Sequence, residues 1–219
     1  MTHEPLTPGT KRGSLHGRAI DALHQVIAQR RCCGPTMTEI AAVLGESEDT
    51  ISAMFPDIGS LTEAAAEEGL MRLIDIGSRA VVEADVDDAY AQFMSLGSAY
   101  LDWAATYPQD FQLIVVSGLV TLTDNPRLDR YMKAQRMLMQ RMLDRAIAAG
   151  VVSERVDTDM LLLGCKALAQ GLALGMLNDA ARQPGELPPR LVTARRALEQ
   201  MTHQFVSTPQ PATAWADRG

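Results

Sequence analysis

Hydroxyls and carboxylates, rather than nucleophiles or metal ligands, are what this chain gathers in one place. Thr38, Ser47, Thr50 and Ser52 lie in one short stretch, interleaved with Glu46, Glu48 and Asp49. Such a set exchanges hydrogen bonds. The hydroxyls can donate to phosphate oxygens, and a carboxylate can accept from the exocyclic amine of cytosine. Catalysis has no comparable constellation. His3, His16, His24 and His203 are scattered, with no Cys or carboxylate set at metal-ligand spacing. No glycine-rich phosphate loop follows a strand pattern, and no nucleophile elbow occurs. The sequence therefore predicts no catalytic residue, no metal and no cofactor, and a protein that is not an enzyme. The adjacent Cys32 and Cys33 read as small apolar filler at a helix end, with redox sensitivity as the alternative.

The elements that must position these hydroxyls are two short helices. Met37, Ile40, Ala41 and Leu44 share one face of the first, and Gly45 breaks the pattern where the chain must turn. Ser47 is placed to cap a second helix that buries Ile51 and Phe55 and stops before Pro56. A short helix, a glycine turn and a second helix make a helix-turn-helix unit, whose second helix can lie in a DNA major groove.

With Thr36, Ile40, Ala41, Gly45, Ser47, Thr50, Ile51, Phe55 and Leu61 at matching spacing, the segment resembles the N-terminal domain of the TetR family of bacterial transcriptional regulators. An upstream helix with Ala19, Ala22, Leu23, Val26 and Ile27 fits as well, so the close match covers about residues 15–61. The resemblance implies an all-α chain, with a three-helix DNA-binding domain followed by a larger helical effector-binding and dimerisation domain. It also implies DNA contacts from the reading helix, where the family commonly places Lys or Arg, Tyr and His, with a further Lys opening the next helix. Here those positions hold Glu48, Ser52, Met54 and Ile58. Contacts then fall to Lys11, Arg12, Arg18, Thr38, Ser47, Glu48, Thr50, Ser52 and Met54, with Lys11 and Arg12 on an arm that could enter a minor groove.

Charge works against that surface. The 219-residue chain carries a formal net charge of −7. Within residues 1–80, Lys11, Arg12, Arg18, Arg30, Arg31, Arg72 and Arg79 stand against eleven acids, and seven minus eleven leaves −4. Phosphate neutralisation supplies most non-specific DNA affinity, so the duplex binding expected here is weak and shallow in its salt dependence. Three cysteines, two of them adjacent, do not describe a disulfide framework. The N-terminus has no apolar signal region, and the apolar stretch Met160 to Leu177 is interrupted by Lys166 and Gln170. A cytoplasmic protein with no membrane partner is expected.

Helical periodicity predicts about nine helices and these bounds: a flexible arm over 1–13, a helix-turn-helix domain over 14–58, an effector and dimerisation domain over 59–206, and a disordered tail over 207–219. The fourth helix is expected from Ser60, capped by that residue, to about Arg79. The sixth spans Phe111 to Leu122, the seventh Arg127 to Ala149, and Pro184 to Pro189 form a rigid link. Phe93, Tyr100, Trp103, Phe111, Gln112, Met132, Gln135 and Met139 are the candidate effector residues, with plain core packing as the alternative. Gly164, Gly171 and Gly175, with Leu161, Leu168, Leu172, Leu198 and Phe205, are the candidate dimer surface, placed there because the family pairs its last two long helices across a twofold axis. The resemblance thus implies a homodimeric regulator that acts as a repressor, binds a palindromic operator in double-stranded DNA and is released by a small-molecule effector. The alternative is a family member that no longer binds DNA and serves as a ligand-binding or protein-interaction module.

Overall fold

A computed structural model describes residues 14–29, 34–122, 124–183 and 187–207. Among the described residues every regular element is helical: α1 (Leu15–Gln29), α2 (Met37–Leu44), α3 (Glu48–Ser52), α4 (Ile58–Glu83), α5 (Ala89–Thr106), α6 (Pro108–Phe111), a π-helical turn (Gln112–Val116), α7 (Pro126–Ala148), α8 (Thr158–Arg182) and α9 (Leu187–Ser207). The chain forms two compact units that divide between Ala65 and Ala66, within α4. The expected arm with Lys11 and Arg12, the pair Cys32 and Cys33, and the expected tail beyond Ser207, which ends α9, lie outside the described residues.

The first unit is set by local signals. Thr36 and Glu39 form a reciprocal capping box at the start of α2, which ends at Gly45 with φ of 68°, a left-handed conformation that costs glycine least. The Ser47 side chain then accepts the Thr50 backbone N–H at 3.2 Å and starts α3. Ala19, Ile20, Leu23, Val26 and Ile27 of α1 pack with Ile40, Ile51, Phe55 and Leu61 as the buried apolar residues of this unit. The cap of α4 is Asp57 rather than Ser60: its carboxylate accepts the Ser60 backbone N–H at 2.7 Å and the Ser60 hydroxyl at 2.8 Å. These hydrogen bonds hold the exposed Asp57 carboxyl below its ordinary range.

In the second unit α5 is the central helix, packed on α7, α8 and α9 and burying Phe93, Ala99, Leu101, Trp103 and Ala104. Polar contacts tie α4 to the chain after α5: Glu67 accepts from Arg127 at 2.6 Å, and a more buried pair lies one turn on. Asp110 is 1% exposed, and both its oxygens accept from the Arg72 guanidinium at 2.8 and 2.9 Å, while Glu68 takes a second Arg72 nitrogen at 3.0 Å. Burial opposes the Arg72 charge, but Asp110 and Glu68 outweigh it and raise the guanidinium pKa. Gly69 permits the approach. A Cβ there would stand 2.9 Å from Ile114 Cδ1 and 3.1 Å from the Asp110 side chain.

The expected helix from Phe111 to Leu122 forms only as far as Val116, as the end of α6 and the π turn. The π turn ends at Ser117, whose hydroxyl donates back to the Leu113 carbonyl at 2.7 Å, and Gly118 turns left-handed with φ of 66°. The expected proline link is also shorter than its sequence suggests. Residues 184–186 lie outside the description, but Leu187, Pro188 and Pro189 already form the first turn of α9, where proline lacks no needed donor.

Replacing Asp110 with Asn removes charge from the buried pair while keeping the shape. A loss of about 1–3 kcal/mol in unfolding free energy by urea titration is expected, the Arg72 side reaching solvent enough to trim the upper end.

Candidate functional site

On the first unit, several expected contact residues are already engaged with one another. The Thr38 hydroxyl donates to the Glu48 carboxylate at 2.9 Å, joining α2 to α3. The Ser47 and Thr50 hydroxyls are 2.7 Å apart. Arg18 donates to the Leu44 carbonyl at 3.2 Å and to Glu46 at 3.3 Å, closing the turn after α2. Its partners fix the motif's geometry, and the pair is about one-third exposed on both sides. Such a pair contributes about 0.2–1 kcal/mol, little enough for a phosphate to compete with it. Asp49, Ser52 and Met54 are exposed. Among the described residues of this unit, Arg18 is the base, against Asp21, Glu39, Glu46, Glu48, Asp49, Asp57 and Glu63.

The second unit contains a cavity of about 320 Å³. Six of the eight expected effector residues line it: Phe93, Tyr100, Trp103, Met132, Gln135 and Met139. Phe111 and Gln112 do not. The Phe111 ring packs edge-on against Tyr100 and Trp103, at centroid distances of 6.3 and 6.1 Å, and Gln112 is exposed. Sequence reasoning missed Leu70 and Leu73 of α4, Ile114 and Val115 of the π turn, and the polar side chains Lys133, Arg136, Lys166, Gln170 and Thr202. The signal for two of them was present, since Lys166 and Gln170 interrupt the longest apolar stretch of the sequence one helical turn apart.

Burial pushes the Tyr100 hydroxyl up to about 12, with the Gln170 side chain holding the shift back. Tyr90 is pushed up to about 12 as well, chiefly by burial and then by its Cys165 neighbour. The Cys165 thiol, 3.8 Å from the Thr202 hydroxyl, is raised by burial and is therefore a neutral, unreactive wall group at ordinary pH.

Along α8 the apolar residues divide. Leu161 and, on α9, Leu198 are buried inside the unit, Leu161 in the core with Ala89, Phe93 and Met142 and Leu198 against the cavity, so neither belongs on an exposed interface. Leu168 and Leu172 are half-buried, and the Phe205 side chain lies outside the description. The opposite side carries Met160, Leu163 and Leu174, exposed by 59, 58 and 41%, beside Gly164, Gly171 and Gly175, where an added Cβ would meet nothing within 4 Å. By length and composition α8 could cross a bilayer, but one side of it is committed to the core and cavity.

No protein-family model matches the chain, and no curated protein matches it in sequence. Solved structures do. The fatty acid degradation regulator FadR from Bacillus halodurans aligns with TM-score 0.69 at 15% identity, covering 93% of this chain and 100% of its own. A Rhodococcus RHA1 bacterial regulatory protein of the TetR family aligns with TM-score 0.65 at 20% identity, covering 89% and 98%. The TetR-family regulator PfmR from Thermus thermophilus gives 0.64 at 14%, covering 91% and 100%. The fold is that of the TetR family of transcriptional regulators: an N-terminal helix-turn-helix followed by a larger helical unit.

Both shifted tyrosines favour the neutral phenol in the folded state. Their contribution to stability is full below pH 10 and lost as pH rises towards about 12. In an alkaline titration followed by phenolate absorbance and circular dichroism together, Tyr90 and Tyr100 should ionise with unfolding. Substituting each with Phe should remove that component of the absorbance step.

Proposed function

We propose that this chain is a homodimeric, effector-responsive transcription regulator of TetR type that represses its target. One observation carries the reading: α4 supplies Leu70 and Leu73 to the cavity wall, and its first turns, from Ile58, belong to the helix-turn-helix unit. A ligand that fits the cavity better in one position of α4 than in another therefore biases the reading helices through continuous backbone. Two such helices must stand about 34 Å apart to enter successive major grooves of a palindromic operator. Contacts would come from Ser52, Thr50 and Met54, from backbone N–H groups, from Arg18 once released by Glu46, and from Lys11 and Arg12.

Dimerisation is proposed through the exposed side of α8, where Leu163, Gly164, Ala167, Gly171, Leu174 and Gly175 follow helical spacing. A second helix can approach closely there because glycine presents no side chain. Gly171→Leu should raise the dimer dissociation constant by at least about tenfold in sedimentation equilibrium without loss of helicity. An unchanged constant would place subunit contact elsewhere.

The acidic surface of α3 favours a second reading, a ligand-binding module that has lost its operator. Fluorescence anisotropy against the upstream DNA of its own gene separates the two. The regulator reading requires sequence-dependent binding at low salt. It also requires roughly tenfold tighter binding for Glu48→Lys with Asp49→Lys, because two repulsive charges become two attractive ones. No sequence-dependent binding by the native protein removes the operator and leaves the module.

A further inference from the structure

No carboxylate lines the cavity of the second unit, although acids outnumber bases in the chain by 27 to 20. Its charged wall groups are cations. Lys133 and Arg136 each meet an acid at 2.7 Å, Asp129 and Asp159, outside the cavity lining, and both pairs are solvent-exposed and weak. Lys166 has no carboxylate partner among the described residues.

The wall also holds donors with nothing to donate to. Trp103 is fully buried, and its Nε1–H has no hydrogen-bond partner; the Tyr100 hydroxyl oxygen lies against the Gln170 side chain, but its O–H meets no acceptor. A buried unpaired donor is costly, and native interiors rarely keep one without a function. The Tyr100 and Trp103 rings are 5.5 Å apart, and Gln170 lies beside Tyr100. Lys166 stands one turn from Gln170 on the same helix and lines the same cavity. These four residues make a polar strip along one wall. Phe93, Met94, Met132 and Met139 supply apolar lining beyond that strip.

We propose that the cavity binds an amphipathic carboxylate. Its apolar body lies among the Phe and Met side chains, and its carboxylate accepts from Trp103 Nε1–H and the Tyr100 hydroxyl under the attraction of Lys166. The proposal rests on reading this cavity as the effector site and adds the chemical class of the effector. A cation would meet three like charges and no carboxylate in the lining. A neutral apolar molecule would leave the two buried donors unpaired. A carboxylate answers both, and at neutral pH the Tyr100 phenol is protonated and donates.

Calorimetric titration of the full chain with three probes of equal chain length tests this: decanoate, decanol and decyltrimethylammonium. Decanoate should bind at least about tenfold tighter than decanol, the value of one charge-assisted hydrogen bond, and the ammonium weakest. Lys166→Met, a change at an exposed position, should bring decanoate close to decanol and leave decanol itself unchanged. Trp103→Phe should weaken both oxygen-bearing probes. If the ammonium binds as tightly as decanoate, or Lys166→Met keeps the preference, the head-group assignment is wrong while the effector cavity stands. Binding of none of the three overturns the cavity reading and the proposal together.

Discussion

A carboxylate withdrawn from water must be matched by a cation, and in this protein the match is Asp110 with Arg72. That contact helps hold α4 in the second unit, together with Glu67 bonded to Arg127 and the buried Leu70 and Leu73. It brings the start of the π turn against α4, and Gly69 is the residue that lets the two backbones close, with Ile114 seated over it. Ile114 then continues into the cavity wall beside Leu70 and Leu73. The cavity is therefore built on a contact that helps hold α4, and a π turn, whose wider ladder is common at functional positions, forms part of its lining.

The electrostatics of the two units point in opposite directions. In the first, acids near the start of α3 favour the helix, by about 0.3–1 kcal/mol each, while facing outward where a polyanion would dock. Thr38 uses Glu48, and Glu46 uses Arg18, so part of the acidity is spent on holding the motif together. In the second, the cavity is rimmed by cations.

The first unit was legible because its signals are local. The left-handed glycine and the Ser47 cap each act over three or four residues and stand where the sequence places them, whereas the Thr36–Glu39 capping box was not read and α4 is capped by Asp57 rather than Ser60. The second unit was legible in helix number and less so in facing. The Phe111–Leu122 stretch is apolar enough for a helix, but a serine that bonds back to the carbonyl before it and a glycine beyond ended it. Leu161 and Leu198 have the right spacing for an interface, and only tertiary packing shows that they face inward while Leu163 and Leu174 face out. Of the cavity residues, the aromatic and Met positions could be read from helical spacing. Leu70, Leu73 and Ile114 could not, because they reach the site through tertiary packing of α4, of which the Arg72–Asp110 pair between residues far apart in sequence is a part.

Whether a change at the cavity wall reaches the helix-turn-helix through α4 can be tested without ligand or DNA. Hydrogen–deuterium exchange of the native chain and of Ile114→Ala, which empties the space over Gly69, measures it. Faster exchange in α4 on both sides of the Ala65–Ala66 boundary and in α2 and α3 is expected. Faster exchange limited to the π turn and the residues directly touching it would contradict the proposed transmission.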